Sequence, residues 1–262
     1  MTMRLTIRVS DKSLSFSTFT TADGGHCEYE PYPTNNGISM AANLRQSFGE
    51  SRLLGRGYKD ALFIMDEPTL IIPIEEYEEN DISLLYNHVF RKGKGNVIMH
   101  SVLPNLNAVA AFAVNNDLKL VADDNFEHVD FIPLMQPVWN YLHKRSFTGP
   151  HKKLYAFFHD KHLELASFRQ NRFRFSNRFS AAHYRDAVYY IMYVWNQLGL
   201  NPMTDELHIV GADSDRTELL LTLRQYLKKV YELNPSADFG FVVSGKDGGM
   251  PFDLKTFYAK GK

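Results

Sequence analysis

Hydrophobic and polar residues alternate at the start of the chain as they do in a β-hairpin, and the same alternation returns 149 positions later. Arg4–Phe19 and Lys153–Phe168 each consist of an apolar-rich segment, a short polar turn around Asp-Lys, and a second segment of similar length. This pattern is typical of two antiparallel strands joined by a tight turn. The identical aligned pairs are Leu5/Leu154, Asp11/Asp160, Lys12/Lys161, Leu14/Leu163 and Phe19/Phe168. The repeat predicts that the chain consists of two related halves.

The segments after each hairpin also follow one order, which strengthens the prediction of a duplication. In both halves the periodicity predicts a third strand, a helix, a strand, a second helix and a last strand. The first half places them at His26–Tyr32, Ile38–Phe48, Ala61–Met65, Asn116–Asn125 and Val129–Leu134, before a further helix at Pro137–Lys144. The second half places them at Arg172–Ser180, Tyr184–Leu198, Glu206–Val210, Leu219–Leu227 and Val230–Leu233, before a terminal helix at Pro251–Tyr258.

One stretch of the first half has no counterpart in the second. The pattern over residues 67–114 predicts a strand at Thr69–Ile74 and a helix over Glu75–Phe90. It also predicts two strands that are joined by a turn at Pro104-Asn105. The predicted helix carries Ile82, Leu85, Tyr86 and Val89 on one face. We therefore predict a first domain at 1–148 with a subdomain inserted at about 67–114, and a second domain at 149–262.

Composition and charge change this picture little. The 262 residues are 44% hydrophobic and 23% charged with a net charge of −1, which is typical of a globular protein and supplies no general attraction for nucleic acid. Cys27 is the single cysteine, so no intrachain disulfide forms and a reducing compartment is expected. The first residues alternate, unlike a signal peptide, and the apolar runs are too short to span a membrane. We expect a cytoplasmic protein.

The order of elements, the duplication and the insertion together resemble the actin, Hsp70 and sugar-kinase superfamily. The chain is most similar to a bacterial family of unknown function with an actin-like ATPase fold. It is more distantly similar to the actin-like cytoplasmic proteins of type II secretion and type IV pilus assembly. The resemblance implies an α/β fold of two ribonuclease-H-like domains, each a mixed five-stranded sheet with helices, plus the inserted α+β subdomain.

The resemblance also implies where a nucleotide would lie. In active members, an Asp and a glycine-containing loop in each first hairpin wrap the phosphates, and a later strand–turn contacts the adenosine. Asp11 and Asp160 lie at the hairpin positions, and Gly211-Ala212-Asp213 partly keeps the adenosine turn. These five residues are the candidate cofactor-binding residues if ATP and Mg²⁺ bind at all. For Gly211 we favour the simpler interpretation, a strand-to-helix turn.

The hairpin turns, however, contain no glycine and look minimal. Charge-assisted hydrogen bonds contribute about 1.5–3 kcal/mol each, so losing three costs roughly 4.5–9 kcal/mol. A loss of that size moves a micromolar site beyond millimolar affinity. The sequence therefore predicts a degenerate nucleotide cleft with no resident cofactor.

Other chemistry-bearing residues fit surface or core roles. On a hairpin His159 and His162 are expected to face opposite sides, so with Asp160 they predict a solvated turn and no metal site. Arginines alternate with phenylalanines at 169–179, which predicts an amphipathic strand with a wet face. A clustered set of carboxylates that would suit a nuclease is missing from the first strands, where Arg8, Phe157 and Phe158 occur instead.

Three functions follow, in decreasing order of support. The first is a non-catalytic module or scaffold that binds another protein, through the inserted subdomain and the exposed edges around it. The second is an active ATPase or small-molecule kinase that uses Asp11 or Asp160 with magnesium. The third is a nucleic-acid binder that uses the arginine stripe. No catalytic residue is assigned.

Overall fold

The computed structural model describes residues 4–20, 25–91, 95–211, 216–233, 242–244 and 249–259. Its strands are β1 (Leu5–Val9), β2 (Ser13–Thr20), β3 (His26–Pro33), β4 (Asp60–Met65), β5 (Thr69–Pro73), β6 (Asn96–Leu103), β7 (Ala108–Asn115), β8 (His128–Pro133), β9 (Lys153–His159), β10 (His162–Arg169), β11 (Arg172–Ser180), β12 (Glu206–Val210), β13 (Val230–Glu232) and β14 (Val242–Ser244). Its helices are α1 (Met40–Glu50), α2 (Ile82–Phe90), α3 (Asn116–Asn125), α4 (Met135–Ser146), α5 (Tyr184–Gln197), α6 (Arg216–Tyr226) and α7 (Phe252–Tyr258). Within the described residues, every helix is too short or too polar to span a lipid bilayer.

The sheet of the first half has the order β14-β3-β2-β1-β4-β8. β1, β2 and β3 form an antiparallel meander, and β4 and β8 add in parallel to β1. Because side chains alternate along a strand, Leu5, Ile7 and Val9 all point to one face, where they are buried. They share a core there with Leu44 of α1 and Leu118 of α3.

The second half repeats this arrangement in a sheet of order β11-β10-β9-β12-β13. β9, β10 and β11 form the meander, and β12 and β13 add in parallel. Leu154 and Ala156 of β9 share a core with Ile191 and Trp195 of α5. The predicted duplication and the predicted fold class are thereby confirmed.

The first sheet differs from the prediction by one strand. β14 has only three residues and pairs in parallel with β3, so this sheet has six strands where five were expected. A three-residue strand leaves no alternation to detect, because alternation becomes informative only over about four to eight residues.

The insertion forms a three-stranded antiparallel sheet of order β5-β7-β6. α2 packs on it through Ile82 and Tyr86, which share a core with Val109 and Ala111 of β7. The predicted helix at Glu75–Phe90 was too long, because Ile74–Glu76 is a 3₁₀ turn and α2 begins at Ile82.

The chain divides into two compact units. The first comprises Met1–Pro104, Ala108–Val138 and Asp238–Lys262, and the second comprises Asn105–Asn107 and Trp139–Ala237. β14 and α7 thus belong to the first unit although their residues lie in the second half of the sequence. The simple boundary at 148/149 is untested and stays a prediction.

Replacement of Trp195 by Ala tests the core of the second half. The indole is 1% exposed, so we expect a cavity and a loss of about 3–5 kcal/mol in the free energy of unfolding. Tyr193→Ala is the matched control, because Tyr193 lies on the same helix and is 51% exposed; its loss should stay within about 0.5 kcal/mol. Urea denaturation measures both variants, and a near-neutral Trp195→Ala would show that α5 does not form this core.

Candidate functional site

The turn between β1 and β2, which contains Asp11, is closed by its own hydrogen bonds. The Ser10 N–H donates to the Ser13 carbonyl at 3.0 Å, and the Ser10 and Ser13 hydroxyls lie 2.7 Å apart. The Lys12 carbonyl accepts from the Thr34 hydroxyl at 2.5 Å. Asp11 is exposed at the tip. The backbone here follows a compact reversal and leaves no wide loop for a phosphate.

A buried ion pair lies next to this first turn. Arg8 Nε donates to Asp253 Oδ1 at 3.0 Å and to Oδ2 at 3.2 Å, and the two side chains are only 5% and 1% exposed. Arg8 Nη1 also donates to Ser13 Oγ at 3.4 Å. Asp253 belongs to α7, and Tyr258 of the same helix donates to Ser17 Oγ of β2 at 2.9 Å. α7 therefore covers the face of the first hairpin opposite Leu5 and Ile7.

The equivalent turn in the second half is shorter still. Asp160 and Lys161 have φ values of +43° and +68°, and His159 pairs directly with His162. Two consecutive residues with positive φ between paired strands are typical of the type I′ two-residue hairpin turn. The Lys161 carbonyl accepts from the Ala181 N–H at 3.0 Å, and Asp160 is exposed.

The prediction that His159 and His162 face opposite sides was wrong. Residues directly opposite on antiparallel strands share a face, and these two rings lie 5.8 Å apart between centroids. The prediction failed because the turn has two residues, which makes the histidines a cross-strand pair.

Glu164 lies on the same face of β10 and is buried with an arginine. Arg178 Nε of β11 donates to Glu164 Oε1, and His159 Nε2 lies 3.5 Å from the same oxygen. Burial alone would raise the pKa of the Glu164 carboxyl, but His159 and the Arg178 guanidinium outweigh it and hold the pKa below its ordinary value. This carboxylate is therefore a charged, internally paired group.

Gly211 follows β12 in a conformation that only glycine adopts easily. Its φ is +77°, and a Cβ atom at this position would lie 2.4 Å from the Phe158 backbone carbonyl oxygen. The absence of a side chain thus lets the turn pass close to β9. Ala212 and Asp213, the other two candidate residues of this turn, lie outside the described residues.

Two arginines of the stripe, Arg174 and Arg178, are engaged within their own unit. Arg174 donates to the Leu198 carbonyl, and Arg178 pairs with Glu164. The register of β10 and β11 shifts between Ser167 and Phe168, which marks a β-bulge. These guanidiniums stabilise the fold around them. Fewer positive charges therefore remain to bind the phosphate backbone of a nucleic acid.

Sequence reasoning found the two turns but missed the charged groups behind them. In the sequence Arg8 argues only against a nuclease, and no pattern singles out Asp253. The available signal was weak: Arg8 interrupts the apolar strand Leu5–Val9, and Asp253 lies in a terminal helix with Phe252 and Leu254. A charged residue inside an apolar strand requires a buried partner, but the sequence does not say which of its 30 acidic residues that partner is.

Comparisons with known proteins agree with this architecture. The family described as "Protein of unknown function (DUF3822)" matches residues 2–230. A Bacteroides thetaiotaomicron protein with an actin-like ATPase fold and unknown function is 25% identical, covers 98% of this chain and 95% of its own, and superimposes with a TM-score of 0.85. The comparison with curated proteins gives no significant match.

Two assembly proteins are also similar in structure. The PilM–PilN type IV pilus biogenesis complex matches with 13% identity, 98% and 94% coverage of the two chains, and a TM-score of 0.56. The cytoplasmic domain of EpsL, an inner membrane component of the Vibrio cholerae type II secretion system, matches with 9% identity, 99% and 95% coverage, and a TM-score of 0.43. The predicted resemblance to an actin-like family of unknown function is confirmed.

Replacement of Gly211 by Ala tests the close approach at this turn. Ala at a positive φ costs roughly 1–2 kcal/mol, and overpacking against a backbone atom that cannot move away adds about 1–3 kcal/mol. Gly199→Ala is the matched control in the same unit, because Gly199 has a φ of +56° but open space around its Cβ position. Urea denaturation should therefore show the larger loss for Gly211→Ala, and equal losses would contradict the close approach.

Proposed function

This chain belongs to the DUF3822 family, and we propose that it is a non-catalytic actin-like module that works by binding another protein. The observation that carries the proposal is the closure of both hairpin turns, around Asp11 and around Asp160. A phosphate site needs several backbone N–H groups that converge on one point, usually from a glycine-rich loop. Here each turn is compact, contains no glycine and has its Lys carbonyl tied to a neighbouring segment.

The charges near the turns support the same proposal. Among the described residues close to the first turn, the Arg8 guanidinium is buried and held by Asp253, so it does not point to solvent as a phosphate ligand would. In the second half, Arg178 is held by Glu164 in the same way. Asp11 and Asp160 are exposed carboxylates, and without a bound cation they repel a triphosphate.

The fold itself is compatible with a binding role. PilM, which shares the fold at low sequence identity, is known in a complex with PilN. An actin-like chain can therefore serve in a protein assembly, which supports the same kind of role for this chain. A cytoplasmic location stays a prediction.

Thermal unfolding with and without Mg-ATP tests the proposal. A ligand at a hundred times its dissociation constant stabilises by about 2.7 kcal/mol, which at about 2–4 °C per kcal/mol corresponds to roughly 5–11 °C in Tm. We expect no shift at millimolar Mg-ATP, whereas an ATP-binding protein of the same fold, measured in parallel, should shift. A dose-dependent rise in Tm for this chain would instead support the ATPase or kinase alternative.

A further inference from the structure

Helix α2 of the inserted subdomain packs against the three-stranded sheet through one face. Ile82 and Tyr86 are 5% and 0% exposed and pack on the three-stranded sheet. The Tyr86 hydroxyl donates to the Pro68 carbonyl at 2.8 Å, and its ring lies 4.9 Å from that of Phe90. Anchoring of α2 to its subdomain therefore requires only this face.

A second side of α2, which begins next to the buried face, is also apolar although it is exposed. Leu84, Leu85 and Val89 are 72%, 42% and 54% exposed. At 3.6 residues per turn these side chains form one continuous stripe with His88 between them, and Ser83 and Asn87 occupy the narrow remaining arc. A helix that is hydrophobic nearly all round is typical of a buried helix, so this stripe is suited to being covered.

The segment that leads into α2 is strongly acidic. Between residues 75 and 81 the chain carries five carboxylates and no Lys or Arg, although the whole chain has a net charge of only −1. All five are exposed. They are Glu75, Glu76, Glu78, Glu79 and Asp81.

Asp81 connects the acidic segment to the apolar stripe. The Leu85 N–H donates to the Asp81 carbonyl at 2.9 Å, so Asp81 lies one helical turn before Leu85 on the same side of α2. Its carboxylate makes no capping hydrogen bond with the helix. Leu84, Leu85, Val89 and the five carboxylates together form what we call the α2 surface.

We propose that the α2 surface binds a basic amphipathic helix of another protein, a partner class that rests on the proposed protein-binding function. Apolar side chains of such a helix would cover Leu84, Leu85 and Val89, and its Lys and Arg side chains would meet the carboxylates. Charge disfavours an anionic membrane as the occupant, because the acidic segment repels it. A second copy fits less well when the same surface pairs with itself, because it would place five carboxylates against five.

A selection from a randomised peptide library tests the inference. Wild-type protein is the bait, and Leu84→Ser/Val89→Ser is the counter-bait, since both side chains are exposed and their loss should leave folding unchanged. We expect enriched peptides that carry Lys or Arg together with apolar residues at helical spacing. Fluorescence anisotropy measures binding of the best peptide. The double variant should bind it at least about tenfold more weakly than wild type. A variant with Gln at Glu75, Glu76, Glu78 and Glu79 should bind it with an affinity that depends less on salt concentration.

Leu120→Ser is the matched control, because Leu120 is 59% exposed on α3 of the same unit and should not affect peptide binding. Four results would overturn the inference. The selection could give no enrichment, or it could enrich peptides without basic residues. The best peptide could bind wild type and the double variant equally, or sedimentation velocity could show a self-association that the double variant removes. Equal binding would leave the protein-binding function intact and move its surface elsewhere. A Tm rise with Mg-ATP would contradict the proposed function independently of the peptide result.

Discussion

The compactness of two β-hairpin turns is the constraint on which this account depends. A turn can bind a phosphate only if its amides are free and converge, and that arrangement requires a loop wide enough to curve around the anion. In this chain both reversals are short, with four residues between the last paired strand residues of the first hairpin (Val9 and Leu14) and two in the second (His159 and His162). The same Asp-Lys dipeptide forms each tip, at Asp11 and Asp160, and the carbonyl of each following Lys is held by another segment. The two halves thus share both their architecture and a closed first turn.

Behind each turn the sheet has an ion pair on the face opposite its aliphatic core, and the carboxylate of each pair is buried. Arg8–Asp253 joins β1 to α7, and Glu164–Arg178 joins β10 to β11. Buried pairs of this kind contribute little net stability, because desolvation offsets the attraction, but loss of one partner leaves an uncompensated charge. Their effect here is to fix which segments meet. Asp253 in particular holds the C-terminal helix on the first sheet.

The sequence was most informative where burial imposes a period. Alternation located the repeated hairpins, and the helical spacing from Tyr184 to Leu198 located α5, because one side of each element is buried in an aliphatic core. It was least informative where structure depends on partners distant in the chain. The three residues of β14 carry no period, and the Asp253 partner of Arg8 lies 245 positions away. The error at His159 and His162 came from turn length, which decides whether two flanking residues share a face.

The candidate site shows the same division. Asp11, Asp160 and Gly211 were identified from the resemblance, but only coordinates give the closed turns and the close approach of Gly211 to Phe158. On α2 the predicted stripe of Ile82, Leu85, Tyr86 and Val89 in fact divides, with Ile82 and Tyr86 buried and Leu85 and Val89 exposed. Periodicity detects an apolar side chain equally well whether its own subdomain covers it or a partner does. That ambiguity is why a binding surface was not localised from sequence.

The most direct measurement is a ¹⁵N–¹H NMR titration with Mg-ATP that follows the backbone amides of Ser10–Ser13 and His159–His162. The account predicts that these resonances stay in place up to millimolar nucleotide, because a short turn without glycine does not bring several N–H groups together around one phosphate. Specific, saturable shifts at these amides would contradict it, since they would place a triphosphate at the turns described here as closed.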